Sequence, residues 1–228
     1  MKILKKHLKY LFFTLTCLLL LVLFADMGNA ETIISGVIKQ DVQWKPENSP
    51  YIITGDIFIP KFITLTILPG TKIIISKSIK NISKEIEQID NMDSSMISIK
   101  INGGFLCKGN PEQRITFRPD ISDTNKCWWY GIYLFKANPD YSIVSYTDIQ
   151  GSFRGVYLEN CSVPIHHNII DYNHSGVTLK LVDKCNIFNN SICSNFFVGI
   201  KSEKSSPHIF SNIIALFICR QTLVCFLK

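Results

Sequence analysis

Long apolar runs are scarce in this sequence, and so is net charge. The longest uncharged apolar stretch, residues 11–24, has 14 residues, short of the roughly 20 that a bilayer-spanning helix takes. Charged residues make up only 18% of the chain. Once Lys2, Lys5, Lys6, Lys9 and Asp26 are set aside with the leader described below, the formal charge falls from +6 to +3. So even a balance argues against nucleic acid or an anionic membrane surface as the partner. Cysteine pairs of the metal-binding kind are missing too: there is no Cys-x-x-Cys and no Cys/His spacing typical of zinc, so no metal site is expected. What is also missing is the helical period. Apolar positions do not recur at i, i+3, i+4; they alternate, as in Val177, Leu179 and Leu181 around Thr178 and Lys180, which is the pattern of strands.

The first 30 residues read as a secretory leader. Lys2, Lys5, Lys6 and Lys9 precede the apolar run, and Gly28-Asn29-Ala30 supplies small residues for cleavage. Cys17 follows Thr14-Leu15-Thr16, which is not a lipoprotein cleavage box. The expectation is an exported protein, periplasmic, cell-surface or extracellular, with no stable transmembrane anchor after cleavage. An uncleaved N-terminal anchor is the alternative. Removal of the leader leaves Cys107, Cys127, Cys161, Cys185, Cys193, Cys219 and Cys225. An odd number cannot pair completely, and thiols buried inside the fold are expected in preference to one or two bridges.

What is present is a repeat. Ile143, Ile165, Ile187 and Ile209 are each 22 residues apart, as are Asn168, Asn190 and Asn212, each opening an Asn-x-Ile triplet. Asn173 and Asn195 form a second such pair. A looser marker, Gly followed by Ile or Val, recurs at Gly131, Gly155, Gly176 and Gly199. A period of this size means stacked supersecondary units. Short alternating strands separated by Asn, Gly, Ser and His turns give an all-β fold, a single-stranded right-handed parallel β-helix with rungs of about 22 residues. Stacked asparagines can hydrogen-bond up and down a column, and they tolerate the left-handed backbone of tight turns.

Residues 31–214 are assigned to this coil, with a polar interruption at 76–95 that includes a short helix over 83–89. Residues 215–228 break the pattern, with no Gly, Asn or Pro. They form either a capping apolar strand or helix, or the off-frame end of a truncated longer protein.

The N-terminal half carries a resemblance. Ser49-Pro50-Tyr51 through Thr54-Gly55-Asp56 leads into Leu65-Thr66-Ile67-Leu68-Pro69-Gly70-Thr71, then Gly104-Phe105-Leu106-Cys107-Lys108-Gly109 and Trp129-Tyr130-Gly131-Ile132. This run resembles the opening rungs of exported right-handed parallel β-helix repeat proteins of the pectate-lyase-like superfamily. The resemblance implies that fold over roughly residues 36–214. It allows polysaccharide lyases, glycosidases, carbohydrate-binding proteins and surface scaffolds, because fold does not settle function. The Asn-Thr-Asp, Asp-Asp, Gly-His-Gly and Arg-Ile-Lys elements of polygalacturonase-like members are absent, as is the Arg-x-Pro-x-x-Arg element of pectate lyases.

The leading expectation is therefore a non-catalytic glycan-binding or cell-surface scaffold whose partner is a polysaccharide or surface glycan. A lyase or glycoside hydrolase and a structural piece of a larger surface protein are the alternatives. No cofactor is expected, with Ca²⁺ reserved for the lyase reading. If the residue after each Gly-Ile/Val points inward, the next points outward, giving an outer column of Tyr133, Tyr157, Thr178 and Lys201. Arg154, Glu159, Lys180 and Glu203 would rim this platform, and Tyr133, Tyr157, Thr178, Lys201 and Arg154 are the candidate ligand-binding residues. Ordinary β-propensity, with tyrosines laddering on half-exposed strands, is the plainer account of this column. Asp148, Asp171 and Asp183 read as solvated turn residues, with cation binding or acid/base work as the sharper option. His166, His167 and His174 lie with Asp171 within nine residues, which admits a general base or a copper site. But His166 and His167, adjacent on a strand, should point to opposite faces and so not share a metal without a bend.

Overall fold

A computed structural model describes residues 14, 31–76, 96–120 and 129–215 of the 228. The expected leader, the helix over 83–89 and the off-pattern tail beyond Ala215 lie outside the described residues. Residues 1–30 form one unit and the rest of the chain another.

The chain is a coil of short strands. The first turns comprise β1 (Thr32–Val37), β2 (Val42–Trp44), β3 (Tyr51–Ile59), β4 (Thr64–Ile67) and β5 (Lys72–Ile75). Then come β6 (Ile97–Ile101), β7 (Gly104–Lys108), β8 (Ile115–Pro119), β9 (Trp129–Phe135), β10 (Ser142–Ser145) and β11 (Thr147–Gln150). The last turns comprise β12 (Ser152–Glu159), β13 (Ile165–His166), β14 (Ile169–Asp171), β15 (Ser175–Lys180) and β16 (Asp183–Phe188). They end with β17 (Ser191–Cys193), β18 (Val198–Glu203), β19 (Ser206–Phe210) and β20 (Ile213–Ala215).

All pairs are parallel, and after the first turns, where β1 pairs with β3, β2 with β4 and β3 with β5, each strand stacks on the one three before it. Face one runs β3–β6–β9–β12–β15–β18, face two runs β2–β4–β7–β10–β13–β16–β19, and face three runs β5–β8–β11–β14–β17–β20. The nine-residue β3 bends round a corner, pairing with β5 through its first half and with β6 through its second. The fold is thus the parallel β-helix that the repeat predicts.

Alternation puts one residue in two inside. Ile132, Val156 and Val177, each following a marker glycine, are fully buried, as are Ile165 and Ile187. Burying each such side chain contributes about 1.5–3 kcal/mol. Ile165, Ile187 and Ile209 are in register, but Ile143 is not of their column. Val144 pairs with Ile165, and Ile143 is only partly buried. That rung is one residue shorter, so counting 22 residues back from the buried Ile165 lands on Ile143, one place before the inward Val144.

The corners explain the asparagines. Asn190 Nδ2 donates to Ile165 O at 3.0 Å and to Asn212 Oδ1 at 2.9 Å, while its own Oδ1 accepts from Asn168 N and Nδ2. Asn173 and Asn195 repeat the arrangement at the next corner. Each amide thus satisfies corner backbone groups that strand pairing leaves over. The glycines have a steric reason: a Cβ on Gly176 would lie 2.5 Å from Gly199 O and 2.6 Å from Ile192 Cγ2. Left-handed residues mark the corner between faces two and three, at Tyr146, His167, Asn189 and Ser211. The thiols of Cys107, Cys161 and Cys185 are buried and unpaired, as expected of them, and burial pushes the first and third up to about 12.

Candidate functional site

Tyr133, Tyr157, Thr178 and Lys201 stand in register on β9, β12, β15 and β18. The column is there, but its exposure is not what was expected. The two tyrosine rings stack on each other with centroids 4.5 Å apart and planes 8° apart. Lys100, in register with Tyr133 one rung earlier, places its Nζ 5.5 Å from that ring, and the Arg154 guanidinium lies 4.5 Å from the Tyr157 ring. Only 5% and 6% of the two tyrosines remain exposed, so a sugar ring finds no free aromatic face there.

The column instead organises charge. Both tyrosine hydroxyls donate to Glu159 Oε2 at 2.7 Å, and Lys180 Nζ sits 2.9 Å from Oε1. Burial works against the Glu159 carboxylate, but the hydroxyls and Lys180 outweigh it and hold the group at about 2. Burial first, and then Glu159, push the Tyr157 phenol up. Lys201 and Glu203, at the far end of the column, are exposed.

A different cluster forms at the corner after β13. That strand is two residues long, and His167 takes a left-handed backbone with φ 58°. The bend brings side chains together that an extended strand would send apart. His166 Nδ1 and His167 Nδ1 lie 2.9 Å apart, with the rings at 88°. The expectation of opposite faces fails here because the corner, and not the strand, sets the direction of His167.

The pair is held on all sides by neighbours from adjacent rungs. Tyr146 stacks on His167 at 4.7 Å, and Phe188 stacks on His166 at 4.7 Å with Phe210 stacked behind it. Arg114 Nη2 donates to His167 O at 3.0 Å, and its Nε meets Asp148 Oδ1 at 2.6 Å. Asn189, one rung on, places Nδ2 3.3 Å from His167 Nε2. Burial, then the neighbouring His167 and Lys108, lower the His166 pKa, which favours a neutral ring with a lone pair to offer. Beneath His166 in register, the Ser145 hydroxyl is buried without a hydrogen-bond partner.

The other candidates do not join this cluster. Asp148 is engaged by Arg114, and Asp171 Oδ1 accepts from Gln150 Nε2 at 2.8 Å. Burial, opposed by that hydrogen bond, raises the Asp171 pKa. Asp183 lies on face two, away from these two on face three. His174 is stacked between Phe153 and Phe197 at another corner. Among the described residues no group of three or more His, Cys, Asp or Glu side chains is placed to hold a metal ion.

A family model described as periplasmic copper-binding protein (NosD) matches residues 63–216. That span covers β4 to β20, including the histidine corner and the tyrosine column. No curated protein and no solved structure matches the chain.

Proposed function

This chain belongs to the NosD family of exported, periplasmic β-helix proteins, and we propose that it binds copper through the imidazoles of His166 and His167. The observation that carries this reading is the 2.9 Å approach of the two Nδ1 atoms at a bent, packed corner. Imidazole nitrogen is a donor that suits copper. In the free protein one Nδ1–H donates to the other Nδ1, so the two lone pairs compete for a single proton. A tautomer shift that moves this proton from Nδ1 to Nε2 of the same ring frees both Nδ1 lone pairs, with no net change of charge. His167 then carries its hydrogen on Nε2, within reach of the Asn189 amide, whose oxygen accepts it once the amide is turned. Tyr146 and Phe188 keep the rings from swinging away by stacking on them. Arg114, through His167 O, ties the bend to Asp148.

Two donors make an incomplete coordination sphere, and the described residues offer no third histidine, cysteine or carboxylate to the pair. A pair of this kind fits a protein that holds copper exchangeably and passes it on, in preference to one that stores it in a closed cage. Copper supplied as Cu(I) and as Cu(II) to the exported chain, with a chromophoric chelator as competitor, tests this. One copper per chain is expected for the wild type. His166→Ala and His167→Ala should each lose it, while His174→Ala and His208→Ala should not. Unchanged stoichiometry in the His166→Ala/His167→Ala protein would sink the reading.

A further inference from the structure

We propose a second ligand site, for an acidic oligosaccharide, at the corner where face one turns into face two. A cleft of about 540 Å³ lies there, inside the range of roughly 300–1,000 Å³ usual for ligand pockets. Three successive rungs build it. The turn after β3 brings Lys61 and Phe62, the turn after β6 brings Asn102, and the longer turn after β9 brings Lys136 and Tyr141. The first of those rungs is also reached by Asp41, whose Oδ1 accepts from Thr64 N at 2.8 Å.

Each wall of the cleft points to the same chemistry. Phe62 is 85% exposed and Tyr141 58%, so the coil gains little by burying either ring. Phe62 also sits at φ 70°, a backbone that favours glycine or asparagine over a bulky aromatic residue. Lys61 Nζ lies 4.9 Å over one face of Phe62, but unlike Tyr133 and Tyr157 these two rings keep most of their surface open to solvent, and an aromatic face suits the C–H face of a pyranose. Lys61 and Lys136 outnumber Asp41, so the ligand is anionic. Thr64, Asn102 and Asn138 add polar residues to the lining, which suits a ligand rich in hydroxyls. A polyhydroxylated chain with carboxylates and flat apolar faces, such as an oligouronide, satisfies all of these together. A simple polyanion would satisfy the lysines alone.

The test is a calorimetric titration of the exported chain with trigalacturonate, cellotriose and inorganic tripolyphosphate, in a metal chelator. Trigalacturonate should bind, and cellotriose about tenfold more weakly or not at all. Phe62→Ala and Tyr141→Ala should each weaken binding by about tenfold, with the fold unchanged by circular dichroism because both rings are exposed. Lys61→Gln/Lys136→Gln should weaken it by a similar factor. No heat with trigalacturonate, equal affinity for tripolyphosphate, or unchanged affinity in Phe62→Ala/Tyr141→Ala would each overturn the proposal. His166→Ala/His167→Ala should keep wild-type affinity for the sugar, so this site and the copper pair stand or fall separately.

Discussion

A single carboxylate governs the outer face of the coil. Glu159 accepts from Tyr133 and Tyr157 and pairs with Lys180, so Glu159→Ala strands two largely buried hydroxyls as well as a lysine. Each buried group left unpaired costs about 1–3 kcal/mol, and the variant should unfold at clearly lower urea at pH 7. The pH dependence follows from the sign of the shift. The folded group titrates at about 2 against an ordinary 4.5, so its stabilisation is present in full above 4.5. It fades as pH falls from there toward 2, because the folded state then binds fewer protons than the unfolded one. The gap between wild type and Glu159→Gln should therefore shrink between pH 4.5 and 2. A gap independent of pH would show that the carboxylate's charge contributes nothing. The register of these tyrosines was legible in the spacing of the Gly-Ile/Val markers, because strands stack in order. Their closure was not, because Lys100 lies just beyond the polar stretch that interrupts the repeat, so its place in the column could not be counted.

At the scale of the element, the corner holds more of the specificity than the strand. Asn190 both donates to Ile165 O and accepts from Asn168, so Asn190→Ala leaves at least two buried backbone groups unpaired and should cost about 2–4 kcal/mol. Asn212, at the more exposed end of the ladder, should cost less when changed in the same way. Equal losses in denaturation midpoint would mean that the ladder acts as one unit, contrary to this account. Asn190→Asp should not rescue, since a carboxylate cannot donate to Ile165 O. Gly176→Ala probes the neighbouring corner: the added methyl meets a carbonyl at 2.5 Å, which only a backbone shift relieves, at a cost of about 1–3 kcal/mol. These ladders could be read from three aligned Asn-x-Ile triplets. The histidine pair could not, because alternation along a strand gives the wrong direction once a residue enters the left-handed corner column. The one hint was positional: His167 lies 22 residues before Asn189 and next to Asn168, in the turn half of the repeat.

For the molecule as a whole, the coil is a one-dimensional stack in which each rung touches mainly its neighbours. Interior and terminal rungs should therefore fail differently. Ile187 is fully buried between β13 and β19, and Ile187→Ala should cost about 2–5 kcal/mol of global stability. Ile214 is only partly buried, on β20, and packs against the inner core at the last described rung. Ile214→Ala should accelerate amide hydrogen exchange in residues 198–215 while leaving β9 and β12 protected. The histidine pair proposed to bind copper sits on the rung of β13, with Phe188 and Phe210 stacked between it and that end. Local fraying and loss of copper should then separate: Ile214→Ala keeps the wild-type stoichiometry, whereas Phe188→Ala, which removes the ring stacked on His166, weakens binding without touching either ligand. If Ile214→Ala also abolished copper binding, the stack would be transmitting strain across two rungs. The histidine corner would then depend on the whole coil and not on the corner residues that pack against it.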